Sequence, residues 1–206
     1  AAPWQGGQLI DAAQGGWAVQ GPSALPQLPQ EPPPGELSVT DMAAIKDAFV
    51  KAAERAAAIG VDAIELHGAH GYLIHQFLSP LTNKRTDNYG GSLENRARLL
   101  LEIVSEVRAA VGSSIPVFVR FSATDYVEGG WDQAQTNQVA SWCHERGADL
   151  FDISSGGLVM GVKIPIGPGY QVPLAESVKS ESHSPVGAVG QITSGAQAEE
   201  ILQRGL

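Results

Sequence analysis

The sequence predicts an α/β fold built on a parallel sheet, and three observations carry that reading. Short runs that are apolar on both faces alternate with segments whose apolar residues recur at helical spacing. Each pair of apolar runs is separated by a helix, the pattern of βαβ units. Polar or glycine-rich residues gather just after each run, at His67 and His70, Arg120, Ser154 and Ser155, and Gly190 and Gln191. A (β/α)8 barrel and a doubly wound sheet both place an active site there. No G-x-G-x-x-G opens a helix, which weakens the dinucleotide-binding doubly wound alternative. A closed barrel needs eight strands, however, and the sequence offers four.

Taken in order, residues 1–37 are rich in proline and glycine, show no sustained period and read as an extended loop. Thr40 is placed to cap a helix carrying Ile45, Ala48, Phe49, Ala52, Ala56 and Ile59 on one side, with Gly60 to end it. Val61–Leu66 reads as the first strand. A glycine-rich loop of about twenty residues follows, longer than a compact domain tolerates without a function. Then come a helix over 93–111, a strand at Pro116–Phe121, a helix over 132–146 closed by Gly147, and a strand at Asp149–Ile153. A glycine-rich loop, a helix near 173–182, a strand at Val186–Gly190 and a helix over 195–204 complete the chain.

The 206 residues, 43% of them hydrophobic, are enough for one domain with a buried core, and no apolar run is long enough to span a bilayer. A formal net charge of -9 opposes sequence-independent binding to nucleic acid and favours small molecules as partners. Cys143, the only cysteine, cannot form an intrachain disulfide, which agrees with a reducing cytoplasm; its apolar helix face makes it a core residue. Ala1 to Gly7 lack the features of a secretory signal and an initiator Met, so an excerpt of a longer chain is expected.

The densest chemistry lies between residues 66 and 96. His67 and His70 stand three apart at a strand end, with Tyr72 beyond them and His75 further on. Two neutral imidazoles can donate to one carbonyl oxygen and draw electron density from it, and the same pair suits a metal site or plain structural roles. A metal-dependent hydrolase or lyase would use His67, His70 and Asp125 or Asp152 as ligands, and a non-catalytic fragment would use none of them. Arg85, Asp87, Glu94 and Arg96 suit a structural part, pinning the long loop through charge-assisted hydrogen bonds.

Ile64-Glu65-Leu66-His67-Gly68-Ala69-His70-Gly71-Tyr72-Leu73, together with Arg85 to Arg96, resembles the signature of the Old Yellow Enzyme family of FMN-dependent oxidoreductases. The similarity continues through Phe118 to Ala123, Asp152 to Gly157, Pro168 to Val172 and Ala188 to Ile192, and is to the thermophilic-like branch of ene and xenobiotic reductases. The resemblance implies a partial (β/α)8 TIM barrel holding about strands 4 to 7 of eight. Residues 1–37 would be the loop after a missing third strand, and 38–206 the FMN-binding partial barrel.

It further implies FMN and NAD(P)H as cofactors, with hydride passing from the nicotinamide through the flavin to the β-carbon of an activated alkene such as an enone. His67 and His70 would hold the substrate carbonyl, and Tyr72 would line the same pocket. Arg120 would stabilise negative charge at the N1/C2 edge of the flavin. Gly190 and Gln191 would offer N–H groups to the FMN phosphate. Ser154, Ser155 and Gly156 are weaker candidates for the same cofactor, and no metal ligand is expected. The full-length parent is expected to be a cytoplasmic homo-oligomer.

Overall fold

A computed structural model describes residues 9–206. Its frame is a sheet of four parallel strands, β3 (Ile64–Gly68), β4 (Val117–Ser122), β5 (Leu150–Ser154) and β6 (Val186–Ala188), lying side by side in chain order. Two-residue strands β1 (Gln20–Gly21) and β2 (Gly35–Glu36) pair with each other in the segment read as plain loop. The helices are α1 (Val39–Ala58), α2 (Leu73–Leu78), α3 (Leu93–Val111), α4 (Gln133–Glu145), α5 (Val172–Ser182) and α6 (Gly195–Gln203). None of the helices among the described residues is long and apolar enough to cross a membrane.

Local chemistry sets the helix limits. Ser38, not Thr40, caps α1: the Asp41 N–H donates to Ser38 Oγ at 3.1 Å while the Ser38 N–H donates to Asp41 Oδ2 at 2.8 Å. This reciprocal box satisfies two N–H groups that a helix start would otherwise leave bare, and the Ser38 hydroxyl and N–H, both donating to Asp41 Oδ2, lower the pKa of that carboxyl. Ser92 accepts from the Asn95 N–H to start α3, and Gly112, at φ 70°, ends it.

Two expectations are corrected here. The long loop holds a short buried helix, α2, whose Ile74, Phe77 and Leu78 pack into the core. The strands are also not apolar on both faces. Leu66, Val117, Val119, Phe121, Phe151 and Ile153 alternate onto one face and pack with Leu100, Ile103, Val104, Val107, Val139, Ala140, Ala175 and Val178 of the helices. The alternate positions Glu65, His67, Arg120 and Asp152 make the other face polar and only partly shielded.

Phe121 and Phe151 stack at a centroid distance of 5.9 Å in the core. Cys143 of α4 lies there as well, fully buried, and burial pushes its thiol pKa up. Arg85, Asp87 and Arg96 pin the long loop as expected, whereas Glu94 is exposed on the first turn of α3. Arg85 donates to the carbonyls of Pro22 (3.0 Å) and Leu37 (2.7 Å) and meets Asp87 through two bonds. Arg96 donates to the carbonyls of Leu78 and Gly91 and to Gln135.

Candidate active site

The parallel register puts His67 beside Arg120, Arg120 beside Asp152, and Asp152 beside Gly187, so one row of side chains crosses the polar face. His67 and Arg120 therefore belong to strands rather than to the loops after them. Beyond the row the chain turns sharply at His70, a non-glycine residue at φ 57°, and Gly71 at φ 78°. The turn is wedged by backbone: a Cβ on Gly157 would stand 2.7 Å from His70 Cα, and one on Gly71 would stand 2.6 Å from the Gly157 oxygen. Only glycine fits at both positions.

This turn gathers His67, His70 and Tyr72, whose rings lie 5.3 Å (His67–His70) and 5.4 Å (His67–Tyr72) apart. The His70 N–H donates to Ser122 Oγ at 2.9 Å, and the Ser122 hydroxyl donates to the Gly156 carbonyl at 2.7 Å. His70 Nε2 meets Ser154 Oγ at 2.8 Å. Burial and the positive field of Arg120 lower the pKa of His67 and bring that of His70 down to about 4, so His70 is neutral at pH 7. Tyr72 is 62% exposed and stands at the open side of the cluster.

Ser154 and Ser155 converge on a buried residue that spacing did not single out. Gln171 Oε1 accepts from Ser155 at 2.5 Å and from Ser154 at 3.3 Å, while the Tyr126 hydroxyl donates to Ser155 at 3.0 Å. Gln171 also backs Gly190, where a Cβ would stand 3.0 Å from its Nε2. Gln171 and Tyr126 come from separate loops, and no local motif links them to the histidines. Gly156, at φ 67°, and Gly190, at φ 117°, occupy turns closed to most other residues. Gln191 is exposed and its side chain joins none of the others.

The groups present fit a flavin mononucleotide. Arg120 Nε lies 3.2 Å from Asp152 Oδ2 without the alignment of a hydrogen bond, a buried donor with no other acceptor among the described residues. The N–H groups of Gly190 and Gln191 likewise have no acceptor among the described residues. A cation at a strand end and free N–H groups after the last strand suit a ring that takes up negative charge and a phosphate.

The metal alternative finds no such support. Asp125 is buried against His75, Ser79 and Trp131, Asp152 faces Arg120, and no three His, Cys, Asp or Glu side chains among the described residues converge as ligands.

Reactive side chains at the C-terminal ends of parallel strands that alternate with helices mark the active-site end of an α/β enzyme. The chain belongs to the NADH:flavin oxidoreductase / NADH oxidase family, whose sequence profile matches residues 6–206. The NADPH dehydrogenase of Bacillus licheniformis is 50% identical over 187 residues, covering 91% of this chain and 54% of that protein.

A 2-naphthoyl-CoA reductase complex superposes with a TM-score of 0.82 at 32% identity, over 91% of this chain and 29% of that one. The Old Yellow Enzyme homologue of Zymomonas mobilis, 24% identical with a TM-score of 0.72, covers 90% of this chain and 54% of its own, and shows the shared fold. The chain spans about half the length of the curated relatives it matches, 46% of one and 54% of another, and its four strands correspond to part of the fold of the solved relatives. Membership implies FMN and NAD(P)H as cofactors.

Proposed function

We propose that this chain carries the substrate-activating half of an FMN- and NAD(P)H-dependent reductase of activated alkenes, acting on enones. The observation that carries the reading is the pair of His67 and His70, held 5.3 Å apart with both pKa values lowered, beside Arg120 on the same sheet face. Neutral imidazoles donate one N–H each, and two such donors directed at one carbonyl oxygen stabilise the negative charge that grows there as the alkene is reduced. Bound FMN supplies the hydride, received from the nicotinamide.

His70 Nε2 is engaged by the Ser154 hydroxyl, which leaves Nδ1 as the ring nitrogen that would face the substrate. The Ser154 hydroxyl lies closer to His70 Nε2 (2.8 Å) than to Gln171 Oε1 (3.3 Å), and that oxygen is already served by Ser155 at 2.5 Å. The clamp uses the tautomer in which the one Ser154 proton turns from Gln171 to His70 Nε2, so that the ring carries its own proton on Nδ1 for the substrate. Arg120 holds the pyrimidine edge of the flavin, and Gly190 and Gln191 hold its phosphate. Ser155 and Gly156 shape the wall between them. Tyr72, its ring 5.4 Å from His67 and its side chain open to solvent, lines the open side of the same pocket.

Mixed with FMN, the purified 206-residue chain tests whether this half suffices: bound-flavin absorption bands and consumption of NADPH on addition of 2-cyclohexenone would show that it does. Arg120→Met should weaken FMN binding about tenfold to a hundredfold, the worth of a charge-assisted hydrogen bond. A colourless chain that leaves NADPH untouched would overturn catalysis by these residues alone.

A further inference from the structure

The turn that presents His70 and Tyr72 is gripped by α2, the helix hidden in the long loop. The Gly71 N–H donates to His75 Nδ1 at 3.0 Å, and the Gly71 carbonyl accepts from Gln76 Nε2 at 2.7 Å. Both peptide units that join Gly71 to its neighbours are thus held by side chains.

Because Nδ1 accepts, the His75 ring proton sits on Nε2, which faces Asp125 Oδ1 at 3.0 Å. That contact is not an aligned hydrogen bond, but both side chains are sealed from water, where attraction between a carboxylate and an N–H dipole is least screened. Asp125 Oδ2 is fixed in turn by the Ser79 hydroxyl at 2.6 Å and the Trp131 N–H at 2.8 Å. Burial pushes the Asp125 carboxyl up, yet the close His75 N–H and the bond from Ser79 leave it lower than usual and ionised. His75 and Asp125 are both buried and take no part in the chemistry proposed above, so their arrangement needs another explanation.

We infer that His75, oriented by Asp125, is a positioning residue: its hold on the Gly71 N–H sets where the His70 imidazole and the Tyr72 ring stand over the polar face of the sheet. The inference rests on the enone-reductase reading for its catalytic consequence, while the grip itself is independent of it. The strain of the turn makes the hold matter. His70, a non-glycine residue, is held in the left-handed region, where the strain falls, and the Gly157 backbone runs so close behind it that no side chain fits between them. Without an acceptor for Gly71, the turn has reason to relax, and a displacement of about 1 Å in a catalytic donor costs as much as a hundredfold in rate.

The test compares three forms of the flavin-loaded enzyme. His75→Leu removes the acceptor, and should slow flavin reoxidation by 2-cyclohexenone about tenfold to a hundredfold in kcat without slowing flavin reduction by NADPH. His75→Asn, whose side-chain oxygen can take the place of Nδ1, should recover most of the loss although it no longer reaches Asp125. In the native enzyme, ¹⁵N NMR should show His75 with a bare Nδ1 and a protonated Nε2.

A folded His75→Leu enzyme that reduces the enone at the native rate would overturn the inference. So would an Asn variant no better than the Leu variant, or a protonated Nδ1. If His75→Leu fails to fold, the Asn variant against the native rate and the NMR tautomer decide. A native enzyme that ignores the enone would sink the reductase reading instead, and the tautomer would still report whether the grip exists.

Discussion

His70→Ala is expected to slow the reduction of 2-cyclohexenone about a hundredfold to a thousandfold in the flavin-loaded enzyme, the usual cost of removing one donor from an oxyanion site. The imidazole is the only part of His70 the proposed reaction uses, since its backbone N–H is engaged by Ser122 Oγ and stays so in the alanine variant. Flavin reduction by NADPH should continue at its native rate, which stopped-flow absorbance reads separately. An alanine enzyme that loses both half-reactions equally would mean that His70 serves flavin binding rather than the substrate carbonyl.

Phe121→Ala should cost about 3–5 kcal/mol of stability, read as a lowered urea midpoint at unchanged slope. Phe121 is fully buried at the centre of the apolar face, stacked on Phe151, with Val119 beside it on its own strand and the α3 helix in the same cluster. It also precedes Ser122, which holds the His70 N–H, so a collapse of the cavity toward β4 would reach the turn. A loss below about 1 kcal/mol would show that the sheet is not packed as described.

Where the sequence carries local signals, the fold was legible. Helix α3 occupies 93–111 as expected because Ser92 and Gly112 mark its ends and the apolar spacing between them is regular. The first strand was misplaced because Val61 to Leu66 looks apolar on its own. Pairing with β4 selects Ile64–Gly68 instead, and that pairing bridges residues more than fifty positions apart, from Ile64 to Val117. Helix α2 was missed because six residues are too few to show a period, and its neighbours Gly71, Ser79 and Pro80 all signal a loop.

The polar face was misjudged for a related reason. In a strand, Glu65 and His67 alternate with Ile64 and Leu66, and the alternation becomes visible only once the register is known. Within the site, the histidines, Tyr72 and Arg120 were readable from the motif and its resemblance. Gln171 lies in the resembling stretch Pro168 to Val172 without a role attached to it, and Tyr126 lies outside every such stretch, since what joins both to Ser154 and Ser155 is contact between loops far apart in the chain.

The lone cysteine has a further use. Cys143 lies inside the packing between α4 and the sheet, and its raised pKa leaves almost no thiolate for a reagent to attack. An alkylating agent can therefore reach it only when α4 lifts away, so the rate of labelling is a clock for opening of the barrel wall. With no second thiol in the sequence to compete, that clock should run slowly in the native protein and faster in Phe121→Ala, timing the breathing of the scaffold that holds the histidines in place.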